Sequence, residues 1–146
     1  MNETAISHRI NQRLQDYWES VRGEKRIPNE SDIVSEDLAD IWEHCFLIDV
    51  KNSGFEYDYL GNSIIEAYGD DLRGREICET LVYPHPPSLL KTFRSVVNSA
   101  KPVIDESQFK NNKGQQIRYR SCVLPLGKVG QVGVQFLLGG MKWKAY

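Results

Sequence analysis

The stretch from Phe55 to Ile77 constrains the fold most strongly, because its hydrophobic periodicity changes abruptly from that of a strand to that of a helix. Aromatic residues alternate with acidic ones over 55–59, which predicts a strand with one buried face and one exposed face. Apolar residues then recur at helical spacing over 64–68, with Asn62 or Ser63 available as the cap. A strand followed at once by a helix favours a small α+β domain.

The same stretch continues with a turn bounded by two glycines. Gly69 and Gly74 enclose an acidic pair, and glycine adopts positive φ values without a steric penalty. A second short helix is predicted over 75–81. Strand, helix, turn and second helix are therefore expected to form one wall of the domain.

Composition and charge narrow the class of protein. With 146 residues, of which 40% are hydrophobic and 26% charged, the chain matches one globular domain and excludes the disordered and fibrous classes. The net charge of −2 gives the protein no positive electrostatic field that would attract a polyanion, so no nucleic-acid partner is expected. The three cysteines are scattered, which favours free thiols in a reducing compartment.

No stretch is long and apolar enough for a signal peptide or a membrane span, so we expect a cytoplasmic protein with no membrane partner.

An amphipathic helix is predicted over 4–22. Its apolar stripe consists of Ile6, Ile10, Leu14, Tyr17, Trp18 and Val21. The stripe can dock on its own domain or pair with a second copy of the chain. The second alternative predicts a homodimer whose interface contains Ile10, Leu14 and Trp18. Residues 1–30 are assigned to this helix and a connector, and residues 31–146 to the main domain.

The rest of the chain predicts further helices and an antiparallel sheet. In chain order the predicted elements are a helix over 31–44 capped by Ser31 or Ser35, a strand over 46–50, a helix over 87–100, and strands over 103–110, 116–123 and 132–138. Short turns between the last three strands predict a meander. Trp143 and Tyr146 fall in a tail that no pattern places. The predicted fold is α+β, with a five-stranded antiparallel sheet, helices on one face and an N-terminal helical extension.

Both the order of these elements and a set of short motifs resemble the PAS domain, and more narrowly a family of small stand-alone bacterial PAS proteins. The motifs are Tyr17-Trp18, Arg22-Gly23, Arg26-Ile27-Pro28, Asp32-Ile33, Phe46-Leu47-Ile48-Asp49-Val50, Phe55, Tyr57, Gly61, Gly69, Asp71-Leu72 and Gly74. Two positions depart from the family pattern, which tends to have arginine where Asp58 stands and threonine where Asn62 stands. The resemblance implies a five-stranded sheet whose helical wall encloses a pocket.

That resemblance also implies a sensory or regulatory function rather than an enzymatic one. The domain would bind a small molecule or a signalling partner protein and pass its state on through an interface. The residues expected to line the pocket are Tyr57, Tyr68, His85, Phe93, Tyr119 and Ser121. Two alternatives stay open, namely an interaction adaptor with a filled core and a small enzyme that uses a tyrosine and a carboxylate on an apolar substrate.

No cofactor or metal is expected. The segment 74–81 places Cys78 one residue away from the reactive position of PAS flavin photosensors, and one residue rotates a helical side chain by about 100°. His85 lies between prolines, where it is a poor haem ligand. The three histidines are dispersed, and the chain has no Cys-x-x-Cys motif for zinc or iron–sulfur binding.

Overall fold

A computed structural model describes residues 3–51, 54–77 and 89–146. Its helices and strands are α1 (Glu3–Arg22), β1 (Cys45–Lys51), β2 (Gly54–Leu60), α2 (Asn62–Tyr68), β3 (Glu76–Ile77), α3 (Leu89–Ser99), β4 (Val103–Lys110), β5 (Gln116–Leu126) and β6 (Phe136–Ala145). Three 3₁₀ turns, Glu30–Asp32, Ser35–Leu38 and Trp42–His44, connect α1 to β1. No helix in these described ranges is long and apolar enough to span a bilayer.

The strands form one antiparallel sheet in the order β3-β2-β1-β6-β5-β4. The hairpin β1–β2 and the meander β4–β6 join through the pairing of the first strand with the last. The α+β prediction with an antiparallel sheet is confirmed, although the sheet has six strands rather than five. The additional strand is β3, where Ile77 pairs with Phe55 at the sheet edge.

The two faces of the sheet carry separate apolar clusters. Side chains alternate along β6, so that Leu137 belongs to one cluster and Leu138 to the other. Helices α2 and α3 cover the first face, which we call the inner face, and Phe93 of α3 is completely buried there. Helix α1 and the 3₁₀ turns cover the opposite, outer face.

Helix α1 docks on the outer face through the predicted stripe. Ile10, Leu14 and Trp18 are each no more than 5% exposed, and the Trp18 indole donates a hydrogen bond to the Pro125 carbonyl at 2.9 Å. In the single chain these side chains therefore pack in cis, which was the first of the two alternatives. A dimer through them would require α1 to leave the sheet, and that interface stays a prediction.

The helix predicted over 31–44 is wrong, because this segment forms the three 3₁₀ turns instead. The helix is interrupted at Ile33 and Val34, whose backbone is extended, and the Val34 N–H donates to the Tyr17 hydroxyl of α1 at 2.8 Å. The segment is also tied to the sheet by the Glu30 N–H, which donates to the Gly127 carbonyl at 2.9 Å. Asn29, rather than Ser31, occupies the cap position of the first turn.

Two further predictions differ from the structure in their boundaries. The helix predicted over 75–81 begins instead as strand β3, and its residues 78–81 lie outside the described ranges. The last strand starts at Phe136, not at 132, because positive φ at Gly133 turns the chain before it. This strand includes Trp143, the residue that no sequence pattern placed.

Candidate functional site

Seven aromatic rings form a continuous chain across the inner face. Adjacent centroids in this ring chain are 5.3 to 6.4 Å apart, a range in which aromatic pairs attract through offset and edge-to-face contacts. In order of contact its members are Phe55, Phe93, Phe46, Tyr57, Tyr68, Phe109 and Tyr119. The ring chain links both inner helices to four strands, so that displacement of one ring affects several elements.

Tyr57 and Tyr68 form a buried hydroxyl pair at the centre of this chain. Their phenolic oxygens are 3.0 Å apart, and the two residues are 1% and 2% exposed. One hydroxyl donates to the other, so the bond uses one of the two phenolic protons. The second proton has no acceptor within the described part of the chain.

Burial further favours the protonated form of both hydroxyls, which an ordinary tyrosine also has at neutral pH. It raises the pKa of Tyr57 well above its ordinary value, and the adjacent Tyr68 raises it further. Burial also raises the pKa of Tyr68 to about 12, although the hydrogen bond with Tyr57 opposes this shift. At neutral pH the pair is therefore an uncharged hydrogen-bond donor in an apolar environment.

A second polar group lies at the far end of the ring chain. The Tyr119 hydroxyl donates to the Asp105 carboxylate at 2.8 Å. Asp105 is the cross-strand partner of Ser121, whose side chain is 6% exposed. The inner face thus combines an apolar surface with hydroxyls at two positions and one half-buried carboxylate.

The structure brings five of the six predicted pocket residues to the inner face. Tyr57, Tyr68, Phe93 and Tyr119 belong to the ring chain, and Ser121 lies on the same face of β5 as Tyr119. His85 lies outside the described residues.

Sequence reasoning missed Phe46, Phe109 and Asp105 as site residues. The alternation of β4 contains the missing signal, because Asp105, Ser107 and Phe109 share one face of that strand.

Helix α2 connects this site to the outer face. It carries Tyr68 at its last turn, and Gly61 at its N-cap packs so closely on the Glu43 backbone that a Cβ there would overlap it. The Trp143 indole donates to the Ser63 carbonyl at 2.8 Å and ties the first turn of α2 to β6. A displacement of Tyr68 would therefore reach the 3₁₀ turn Trp42–His44 and strand β6.

The described residues provide no evidence for a reactive thiol or a metal site. Cys45 and Cys122 are free and completely buried on the outer face, and burial raises the pKa of both thiols, that of Cys122 to about 12. Within the same ranges no group of three or more His, Cys, Asp or Glu side chains is placed to hold a metal ion.

Comparisons with solved structures show what the fold is similar to. A light-oxygen-voltage domain studied with a flavin analogue matches with a TM-score of 0.58 at 15% identity, over 75% of this chain and 82% of that one. A variant of Vivid matches with a TM-score of 0.56 at 14% identity, over 88% and 92%. The LOV domain of a blue-light activated histidine kinase from Erythrobacter litoralis EL346 matches with a TM-score of 0.54 at 12% identity, over 70% and 95%. At these identities the likeness concerns the fold alone.

Sequence comparisons identify the family. No curated protein matches the chain. A family model described as a PAS domain matches residues 6–141, which includes most of α1 and all of the sheet except the last four residues of β6. The chain therefore belongs to the PAS domain family.

Proposed function

We propose that this PAS domain is a regulatory sensor that binds a small molecule on the inner face of its sheet and passes the bound state to a partner protein. The observation that carries the proposal is the Tyr57–Tyr68 hydroxyl pair, which is buried at an O···O distance of 3.0 Å and retains one phenolic proton for a further acceptor. Buried polar groups in proteins are almost always hydrogen-bonded, and a ligand can supply the missing acceptor.

The chemistry of this face defines the class of ligand. Aromatic rings surround the hydroxyl pair, so an apolar ring or chain would replace protein contacts at little cost. The burial that raises the pKa of both tyrosines would also penalise a charged ligand group beside the pair. We therefore propose an uncharged, largely apolar molecule with one carbonyl, ether or ring-nitrogen acceptor.

Transmission would begin at α2. A ligand that accepts a hydrogen bond from the pair would reposition the Tyr68 ring, and α2 is only seven residues long. Its N-cap Gly61 contacts the backbone of Glu43, whose 3₁₀ turn lies beside strand β1. The proposed output is thus a change at the 3₁₀ turns and at the nearby surface of the outer face.

An adaptor with a filled core is the second candidate. The ring chain supports it, because seven rings in mutual contact provide the packing that a core without ligand requires. In that case the domain would bind its partner in one constant state.

Native mass spectrometry of gently purified protein, followed by binding assays with neutral aromatic carbonyl compounds, separates the two candidates. We expect a retained or added molecule, and Tyr57→Phe and Tyr68→Phe should each weaken its affinity about tenfold, the effect of one hydrogen bond. Tyr59→Phe is the matched control, since that hydroxyl donates to the Trp42 carbonyl at 2.8 Å, away from the pair. If no compound binds, or if the three variants bind equally, the ligand proposal is wrong and the adaptor is favoured.

A further inference from the structure

An apolar cleft of about 180 Å³ lies on the outer face, remote from the ring chain. Leucines from three adjacent strands line it, together with two apolar side chains from the segment between α1 and β1 and the acidic Glu30. The lining residues are Leu47, Leu126, Leu138, Ile33, Trp42, Glu30 and the polar Ser35. Its volume is below the roughly 300–1,000 Å³ of sites for drug-sized ligands but suits individual protein side chains.

One wall of this outer cleft comes from an acidic segment, and Glu30 is the acidic residue of that segment that lines the cleft. Residues 30–43 include six Asp or Glu residues and no Lys or Arg. Lys25 and Arg13 pair with Asp32 and Asp40 of this segment. Glu30 has no ion-pair partner among the residues that the structure describes. Charge complementarity therefore favours an occupant that is apolar and carries a cation.

The loop 128–133, between β5 and β6, has that chemistry. Val129 is 72% exposed and Val132 is 96% exposed, and the same loop contains the exposed cation Lys128. The loop begins beside the cleft, because the Gly127 N–H donates to the Pro28 carbonyl at 2.8 Å and the Gly127 carbonyl accepts the Glu30 N–H. Two valines this exposed contribute nothing to the stability of the single chain.

We infer that the outer cleft binds the loop 128–133 of a second copy of this chain, and that the exchange is reciprocal. Val129 and Val132 would enter the apolar cleft, with Lys128 beside Glu30 of the other copy. Because loop and cleft adjoin each other on one surface, a two-fold axis can satisfy both contacts at once, as a symmetric dimer requires. This interface leaves α1 on its own sheet, and its tests need no ligand on the inner face.

The first test measures molecular mass by sedimentation over a concentration series that reaches the millimolar range. The unmodified chain should approach twice its 16.8 kDa monomer mass. Val132→Asp should remain monomeric, since it brings a carboxylate to an apolar, acidic cleft. Ile104→Asp is the matched control, because it replaces another exposed apolar residue, 51% exposed, on the distant edge strand β4. Its dimer should persist, and circular dichroism should show both variants folded.

The second test uses charge reversal in mixtures. Glu30→Lys alone and Lys128→Glu alone should each be monomeric, because each homodimer would place like charges together at both contacts. An equimolar mixture of the two variants should form a heterodimer, since each loop then meets a cleft of opposite charge. A salt bridge within one chain cannot produce this rescue.

A monomeric unmodified chain at every concentration would overturn the inference. So would a dimer that survives Val132→Asp, since another surface would then hold it together. Failure of the two charge variants to associate in the mixture would overturn it as well. The combination of a wild-type dimer, loss with Val132→Asp, retention with Ile104→Asp and rescue in the mixture supports it.

Discussion

The ring of Phe46 lies over the backbone of Gly139, its partner across the β1–β6 pair, and occupies the space that a side chain at position 139 would need. Phe46 is also the member of the ring chain that contacts both Phe93 and Tyr57. A glycine on the last strand therefore determines where rings from the first two strands and α3 can meet.

Gly139→Ala should destabilise the domain by about 1–3 kcal/mol, because the added methyl group overlaps a buried ring that has little room to move. Chemical denaturation measures this loss in the free energy of unfolding. Gly140→Ala is the matched control on the same strand, where the nearest atom to a new Cβ is Leu14 Cδ2 at 3.1 Å. It should cost less, and equal losses for the two variants would contradict the role of the Phe46 ring.

The hydroxyl pair of Tyr57 and Tyr68 should behave as a coupled unit. Tyr57→Phe or Tyr68→Phe alone leaves one buried hydroxyl without its partner, which should cost about 1–3 kcal/mol. The double variant should cost clearly less than the sum, since it leaves no orphaned hydroxyl. Urea unfolding of the four proteins gives the coupling free energy. Strict additivity would contradict a hydrogen bond between the two phenols.

Alkaline pH should destabilise the domain through the same pair. Burial raises the folded-state pKa of Tyr68 to about 12 from an ordinary value of 10.0. Its stabilising contribution is therefore complete below about pH 10 and is lost as the pH rises through about 12, with a slope of about 1.4 kcal/mol per pH unit.

Tyr68→Phe isolates this effect, because the other buried tyrosines remain. Above pH 10 its free energy of unfolding should fall less steeply than that of the unmodified protein, as measured by urea unfolding at a series of pH values. Parallel curves for the two proteins would mean that Tyr68 does not have a raised pKa in the folded state.

The sequence alone predicted those helices and strands in which a single buried face determines the spacing of the apolar residues. In the alternation over 55–59, Phe55 and Tyr57 lie on the inner face as predicted, and so does the apolar stripe of α3. Tyr59 does not, because the β1–β2 register shifts between Leu47 and Ile48 and the Tyr59 ring stacks on Trp42 at the outer face. The ring chain was not predictable in the same way, since the contacts of Phe46 with Phe93 and of Tyr68 with Phe109 join parts of the chain that are far apart in the sequence. Tyr57 and Tyr68 at the centre of the ring chain were both predicted as pocket residues, but the hydrogen bond between them was not predicted.

The failures also have physical causes. Residues 31–44 contain an apolar stripe, yet the backbone is extended at Ile33 and Val34, where the Val34 N–H donates to the Tyr17 hydroxyl, and this prevents a continuous helix. The alternation over 132–138 begins too early, in the loop, where Val132 is exposed. It also ends too early, because strand β6 continues through Gly139 and Gly140, where the pattern indicated the end of the strand. In both segments local contacts and close packing outweighed a periodic pattern.

Asn11 offers a prediction of increased stability, which few substitutions produce. It lies in α1 between Ile10 and Leu14, is only 5% exposed, and neither its side-chain nitrogen nor its oxygen has a hydrogen-bond partner in the described part of the chain. Asn11→Leu keeps the branched shape, removes the buried amide and should raise the free energy of unfolding by about 1–3 kcal/mol. Asn98→Leu on the exposed side of α3 controls for the higher helix propensity of leucine. If chemical denaturation finds Asn11→Leu no more stabilising than this control, the amide has a partner or water that compensates its burial.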